Sequence, residues 1–173
     1  VSNIVVDLPP GPRARRLLFS AHYDAVRGSP GANDNASGVA VLLGLCHRLK
    51  DGGFPIRAVF FDREEAWLRI PFLRAGLLGS FHYVWKNGLR DVAAVYNLEF
   101  CGMGDYLGVW PIRSNQRRLH AFQEVEKAAA RLALPMRAAH IPWFILSSDH
   151  LPFRLRGLPH ALTLSLLPSS QVP

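Results

Sequence analysis

No apolar run in this chain reaches the roughly 18–20 residues that would cross a bilayer, so no membrane span is expected. Cysteine is nearly absent. Cys46 and Cys101 can form at most one bridge, which excludes a disulfide framework. Cys46 falls on the apolar side of a predicted helix and reads as a small buried thiol. Cys101 follows Glu99 by two residues and lies near a polar site, but one cysteine makes no zinc knuckle. Lysine is scarce too, since 17 of the 20 basic residues are arginine. The arginines lie singly or in pairs, with no basic stripe interleaved with aromatics. The net charge of +7 therefore reads as a solvated surface, and no nucleic-acid partner is expected. The start, "VSNIVVDLPPGPRARR", has no basic segment leading into an apolar one, so no signal peptide is visible. Secreted, periplasmic and cytoplasmic locations all stay open, as does oligomeric state. There is no internal repeat, low-complexity tract or linker.

What is present is enough for one domain with a real core, since a chain of 173 residues buries about 70% of its extended surface. Four apolar runs rich in β-branched and aromatic residues predict strands: 3–8, 16–22, 56–62 and 92–100. Residues 106–112 and 160–166 predict two more. Helices are expected over 36–49, capped by Asn35 or Ser37 and stopped at Gly52-Gly53, and over 77–85 and 116–134. Residues 147–157 read as a loop entering a short helix, and "PPGPR" at 9–13 as a hairpin turn joining the first two strands. Alternation of strand and helix predicts an α/β fold, a three-layer sandwich with a mixed, largely parallel central sheet flanked by helices.

The 13 acidic residues are unevenly placed. In open α/β sheets chemistry gathers at the carboxyl ends of strands. His22 and Asp24 follow the second predicted strand, Asp62, Glu64 and Glu65 the third, and Glu99 ends the fourth. Asp34 sits in the turn-rich "GANDNASG", and Asp149-His150 in the loop before the last strand. Taken singly, each segment has a plainer reading: a hydrogen-bonded His-x-Asp pair, a helix cap at Asp34-Asn35, a solvated helix start at Glu64-Glu65, another cap at Asp149. Together they crowd carboxylates that repel one another and are costly to desolvate unpaired. A divalent cation resolves that conflict. Histidine among the carboxylates favours zinc, or another borderline transition ion, over calcium or magnesium. Two zinc ions about 3.5–4 Å apart need a bridging carboxylate and terminal ligands on each side. His22, Asp34, Glu65, Glu99 and His150 supply that inventory. Asp24 suits the orientation of His22 through its second ring nitrogen. Of Glu64 and Glu65, one can bind metal while the other acts as general base. His47, His82, His120, His140 and His160 lack such carboxylate neighbours and read as surface or core residues.

The segments "AHYDAV" (21–26), "GANDNASGVA" (31–40), "FFDREEA" (60–66), "GLLGS" (76–80), "YNLEF" (96–100) and "SSDHLPF" (147–153) together resemble the co-catalytic zinc aminopeptidases, the bacterial leucyl-aminopeptidase type, whose relatives include glutaminyl cyclases. The resemblance implies one zinc held by His22, Asp34 and Glu99, and a second shared through Asp34 and held also by Glu65 and His150, although relatives can bind one ion. Asp24 would orient His22. Glu64 would take a proton from the attacking water and pass it to the leaving amine. The implied function is a zinc-dependent exopeptidase removing N-terminal residues from peptides. Two alternatives are a glutaminyl-cyclase-like acyltransferase, which expels ammonia, and a catalytically weak domain that binds peptides or partners on the same scaffold. Three departures stand out: Glu99 replaces a frequent Asp, and "WLRIPFLRA" intervenes after the Glu-Glu pair. The chain also ends soon after "LLPSSQVP", so residues 1–173 are expected as one catalytic domain that is either a minimal version or short of a terminal piece. The intervening segment, with Trp67, Ile70, Phe72 and Leu73, is expected to line a substrate pocket, pack on a partner or reshape access to the metal.

Overall fold

The structure, a computed structural model, describes residues 1–8, 15–65, 68–70, 73–112, 114–139 and 148–169. Seven strands form one sheet: β1 (Ile4–Leu8), β2 (Arg16–His22), β3 (Ile56–Phe61), β6 (Val92–Leu98), β7 (Tyr106–Trp110), β8 (Met136–Ala138) and β9 (Ala161–Leu167). Their spatial order is β1-β3-β2-β6-β9-β7-β8. The β3–β2, β2–β6, β6–β9 and β7–β8 pairs are parallel, and β1–β3 and β9–β7 are antiparallel. The sheet is mixed and mostly parallel, as the sequence predicts. Strands β4 (Leu68–Ile70) and β5 (Leu73–Ala75) form a separate antiparallel hairpin.

Side-chain alternation assigns the helices to layers. Phe19, Ala21, Ala58, Phe60, Tyr96, Leu98 and Leu162 face α1 (Ser37–Leu49) and α3 (His120–Arg131), with Leu42 and Phe122 as buried anchors. Leu18, Val59, Phe61, Val95 and Ala161 face α2 (Leu78–Asn87) and α4 (His150–Leu155), which contribute Tyr83, Val84 and Phe153. The chain leaves β2 through α1 to reach β3 on one side, then crosses through α2 on the opposite face to reach β6 on the other side of β2. The carboxyl end of β2 is therefore the point where chain direction across the sheet reverses, which is where open α/β sheets leave a crevice. His22 is the last residue of β2.

Several expectations need correction. β1 and β2 do not form a hairpin: β3 lies between them and pairs with both, tied on the β1 side by the Arg57–Asp7 ion pair at 2.6 Å. The turn itself, 9–14, lies outside the described residues. The helix expected over 116–134 is split. A 3₁₀ turn at Ser114–Arg118 precedes α3, because Leu119 is extended (φ −65°, ψ 130°), and Ala133 at φ 50° ends the helix before Pro135. The intervening segment forms the β4–β5 hairpin, and its base is closed by Leu77 N–H to Glu64 O and Leu78 N–H to Arg63 O, both 2.9 Å. Trp67, Phe72 and His140 lie outside the described residues. Among the described residues, no helix is long and apolar enough to cross a membrane.

Candidate metal centre

Three donors meet at the crevice. His22 Nε2 lies 3.1 Å from Asp34 Oδ1 and 3.6 Å from Glu99 Oε1, and all three donor atoms fall within 4.8 Å of one another. Ligand atoms held about 2.0–2.2 Å from a tetrahedral zinc sit roughly 3.3–3.6 Å apart, so the spacing matches one ion at their centre. His22 and Glu99 are 1% and 3% exposed, whereas the Asp34 side chain is 40% exposed. Two of the candidate donors are thus buried and the third is partly open to solvent.

The buried donors are held from behind. His22 Nδ1 donates to Asp24, with the backbone oxygen at 3.1 Å and Oδ1 at 3.4 Å, which aims Nε2 at Asp34 and Glu99. Asp24 does more than orient the imidazole: its two carboxylate oxygens accept the backbone N–H groups of Glu64 (3.0 Å) and Glu65 (3.1 Å). One carboxylate therefore fixes both a ligand and the backbone that carries the acid pair. Glu99 is held by a buried chain of donors. Ser20 Oγ donates to Asn97 Oδ1, Asn97 Nδ2 donates to Ser148 Oγ, and Ser148 Oγ donates to Glu99 Oε1. Arg63 and Phe100, each next to a site carboxylate, hold left-handed conformations at φ 53° and 52°. Such strain in non-glycine residues collects where surrounding structure aims a functional group.

Electrostatics show what the cluster lacks. Burial opposes a charge on His22, but hydrogen bonds to Asp24 and Asp34 and the charges of Glu99 and Glu64 outweigh it and push the imidazole up to about 12. Glu64, Glu99 and Asp149 are also pushed up: burial raises all three, and neighbouring carboxylates add to it, Asp149 and Glu99 on Glu64, Asp34 and Asp149 on Glu99, and Asp24 on Asp149. Asp149 is fully buried, and the Ser80 hydroxyl near it lowers its pKa but completes no well-formed hydrogen bond to either oxygen. A site that forces its histidine to keep a proton and leaves carboxylates neutralised by burial is short of a cation. The residues fit zinc by spacing, donor type and charge.

The sign of the pH dependence follows. With no metal, the folded chain holds protons on His22 above 6.5 and on these carboxyls above 4.5 that the unfolded chain releases. Stability of the metal-free protein should therefore fall as pH rises from about 4.5, and fall further above 6.5. Zinc must displace the His22 proton, so its affinity should rise over the same range. Melting curves with and without zinc between pH 5.5 and 8.5 check this. A zinc-induced shift that shrinks as pH rises would contradict it.

The structure brings together His22, Asp34 and Glu99, with Asp24 behind His22 and Glu64 close enough for mutual electrostatic influence. It does not bring Glu65 or His150 into that donor group, and no second group of three such donors occurs among the described residues. His150 Nδ1 is hydrogen-bonded to Thr163 Oγ1 at 2.7 Å, which leaves Nε2 as the ring nitrogen open to a ligand, and its ring packs edge-on against Trp110 at 5.3 Å. Burial and the charge of Arg154 lower its pKa to about 3. The neighbour Asp149 lies close enough to the cluster to act on Glu64 and Glu99. After burial, its charge is the largest influence on Glu64. The sequence does place Asp149 among the convergent acids, but nothing in its spacing tells how the two adjacent residues divide their roles.

The mixed, mostly parallel sheet and the His–Asp–Glu donor set at the end of β2 define an α/β domain with a candidate metal centre. The sequence profile of Peptidase family M28 matches residues 3–169, and the chain belongs to that family. It is similar to aminopeptidase YwaD of Bacillus subtilis (strain 168), 30% identical over 154 residues, which make up 84% of this chain and 31% of that protein. Among solved structures it resembles BSAP, a zinc aminopeptidase from Bacillus subtilis, with TM-score 0.75 and 26% identity, covering 94% of this chain and 39% of that one. It also resembles the glutaminyl cyclase of Porphyromonas gingivalis, with TM-score 0.68 and 27% identity, covering 95% and 60%. The chain thus spans about a third of the length of the Bacillus aminopeptidase it matches.

Proposed function

We propose that this chain is the catalytic part of a zinc-dependent exopeptidase that removes N-terminal residues from peptides, with at least one ion held by His22, Asp34 and Glu99. The observation that carries the reading is the convergence of those three donors within 4.8 Å of one another, beside a desolvated Glu64. When bound, zinc supplies Lewis-acid polarisation of the scissile carbonyl and acidifies a water. Asp24 holds His22 in its ligating tautomer and pins the backbone of Glu64. Glu64 takes the proton of the attacking water, and its raised pKa suits it to deliver that proton to the departing amine. Asp34, partly open to solvent, is the ligand positioned to be shared with a second ion. The partners of a second ion would be Glu65 and His150, the latter through Nε2 with its Nδ1 held by Thr163 Oγ1.

That single complete donor set also favours a second reading, a glutaminyl-cyclase-like acyltransferase. There Glu64 would move a proton from the substrate amine to the leaving ammonia. Metal analysis together with a panel of aminoacyl chromogenic substrates and N-terminal glutamine peptides separates the two. Chelator-sensitive hydrolysis of the aminoacyl panel is expected. Ammonia release from glutamine peptides without hydrolysis of the panel would replace the first reading with the second.

A further inference from the structure

Asp34 and Glu99 ride on two different loops, yet a zinc ion needs their oxygens placed to within a few tenths of an ångström. Three polar side chains bracket Asp34 on alternate residues, and each grips backbone that brackets Glu99. Asn35 Nδ2 donates to Leu98 O at 2.8 Å, one residue before Glu99. Cys101 N–H donates to Ser37 Oγ at 2.9 Å, and Gly102 N–H donates to Asn33 Oδ1 at 2.9 Å, both just after it. The clamp is braced internally. Ser37 Oγ donates to Asn33 O at 2.7 Å, and Gly38 N–H donates to Asn35 Oδ1 at 3.2 Å. Asn35 is 1% exposed. A Cβ at position 38 would lie 2.8 Å from Leu98 O and press on Asn35, so only glycine allows α1 to start so close to the end of β6.

We propose that Asn33, Asn35 and Ser37 are positioning residues that set the separation of Asp34 and Glu99, and with it the tightness and geometry of metal binding. They touch neither metal nor substrate. This rests on the reading of His22, Asp34 and Glu99 as zinc ligands. The physical reason is preorganisation. Two loops free to drift must be ordered by the ion itself, and that ordering is subtracted from the binding free energy. Supporting hydrogen bonds of this kind typically carry a 10–100-fold effect on metal affinity.

The test measures zinc affinity by chelator competition, and the visible spectrum of the cobalt-substituted chain, for Ser37→Ala, Ser37→Thr and Asn33→Ala. Both alanine variants lie at partly exposed positions and should keep the far-ultraviolet circular dichroism of the parent. Each is expected to weaken zinc by about 10–100-fold and to alter the cobalt bands, whereas Ser37→Thr, which keeps the hydroxyl, restores both. Asn35→Ala should give the largest loss. Parental affinity and parental cobalt spectra in both Ser37→Ala and Asn33→Ala would overturn the clamp. The control is His22→Ala: undiminished zinc binding in that variant would overturn the ligand assignment itself, and the clamp with it.

Discussion

Glu64→Gln is expected to lower kcat by about 10²–10⁴-fold while leaving zinc content and the fold intact. The substitution keeps the size of the side chain and its backbone N–H, which Asp24 holds at 3.0 Å, so the group stays where it was and loses only its basicity. Glu64 lies outside the donor group of His22, Asp34 and Glu99, and zinc should bind as before. A second effect separates this role from a structural one. Burial and the nearby charges of Asp149 and Glu99 raise the pKa of Glu64 in the metal-free protein, so above about 4.5 its ionisation destabilises the fold. Gln removes that charge, and the metal-free variant should melt higher than the parent at pH 7–8. Loss of turnover with a gain in stability is the signature of a residue kept for chemistry rather than for packing. The acid limb of the parent's pH–rate profile, attributed to Glu64, should vanish from whatever activity remains. Near-parental kcat in Glu64→Gln would remove Glu64 from the mechanism.

The parts of the site that can be read from sequence are those carried by strand ends. His22, Glu64 and Glu99 follow β2, β3 and β6, and the apolar runs that make those strands are local signals. Asp34 is legible because the glycine- and asparagine-rich turn around it separates a strand from a helix. Strand order is another matter. Whether β1 pairs with β2 or with β3 depends on residues some fifty positions away, such as the Asp7–Arg57 pair, and the short turn between β1 and β2 gives no warning of it. How Asp149 and His150 divide their roles is lost for a related reason. Adjacent residues at a helix start point about 100° apart, and the rotation of α4 is set by Trp110 and Thr163 on strands distant in sequence. The buried polar chain behind Glu99 did leave a trace. Ser20, Asn97 and Thr163 are polar residues placed in otherwise apolar strand runs, all on the face of the sheet that carries His22 and Glu99. Read by period-two alternation, they mark that face as the one with an internal polar task.

His22→Ala should have the largest effect on metal binding, with zinc affinity falling by well over the roughly 100-fold that loss of a supporting group can cause. The imidazole is the one neutral nitrogen donor in the cluster, and it lies closest to Asp34 and Glu99. Its removal also takes away the positive charge that Glu64, Glu99 and Asp149 feel when zinc is absent. Leaving buried acids without that partner is expected to cost about 3–5 kcal/mol. The pH dependence gives a check on cause. In the metal-free parent, the His22 proton stabilises the fold fully below 6.5 and progressively less as pH climbs toward 12. The gap in melting temperature between parent and His22→Ala should therefore be widest below pH 6.5 and narrow above it. His150→Ala supplies the contrast: it lies outside the donor group of His22, Asp34 and Glu99, so the variant should lose the Thr163 and Trp110 contacts and any second ion but keep the ion held by those three. Loss of all bound zinc from His150→Ala would show that the three donors do not hold an ion by themselves.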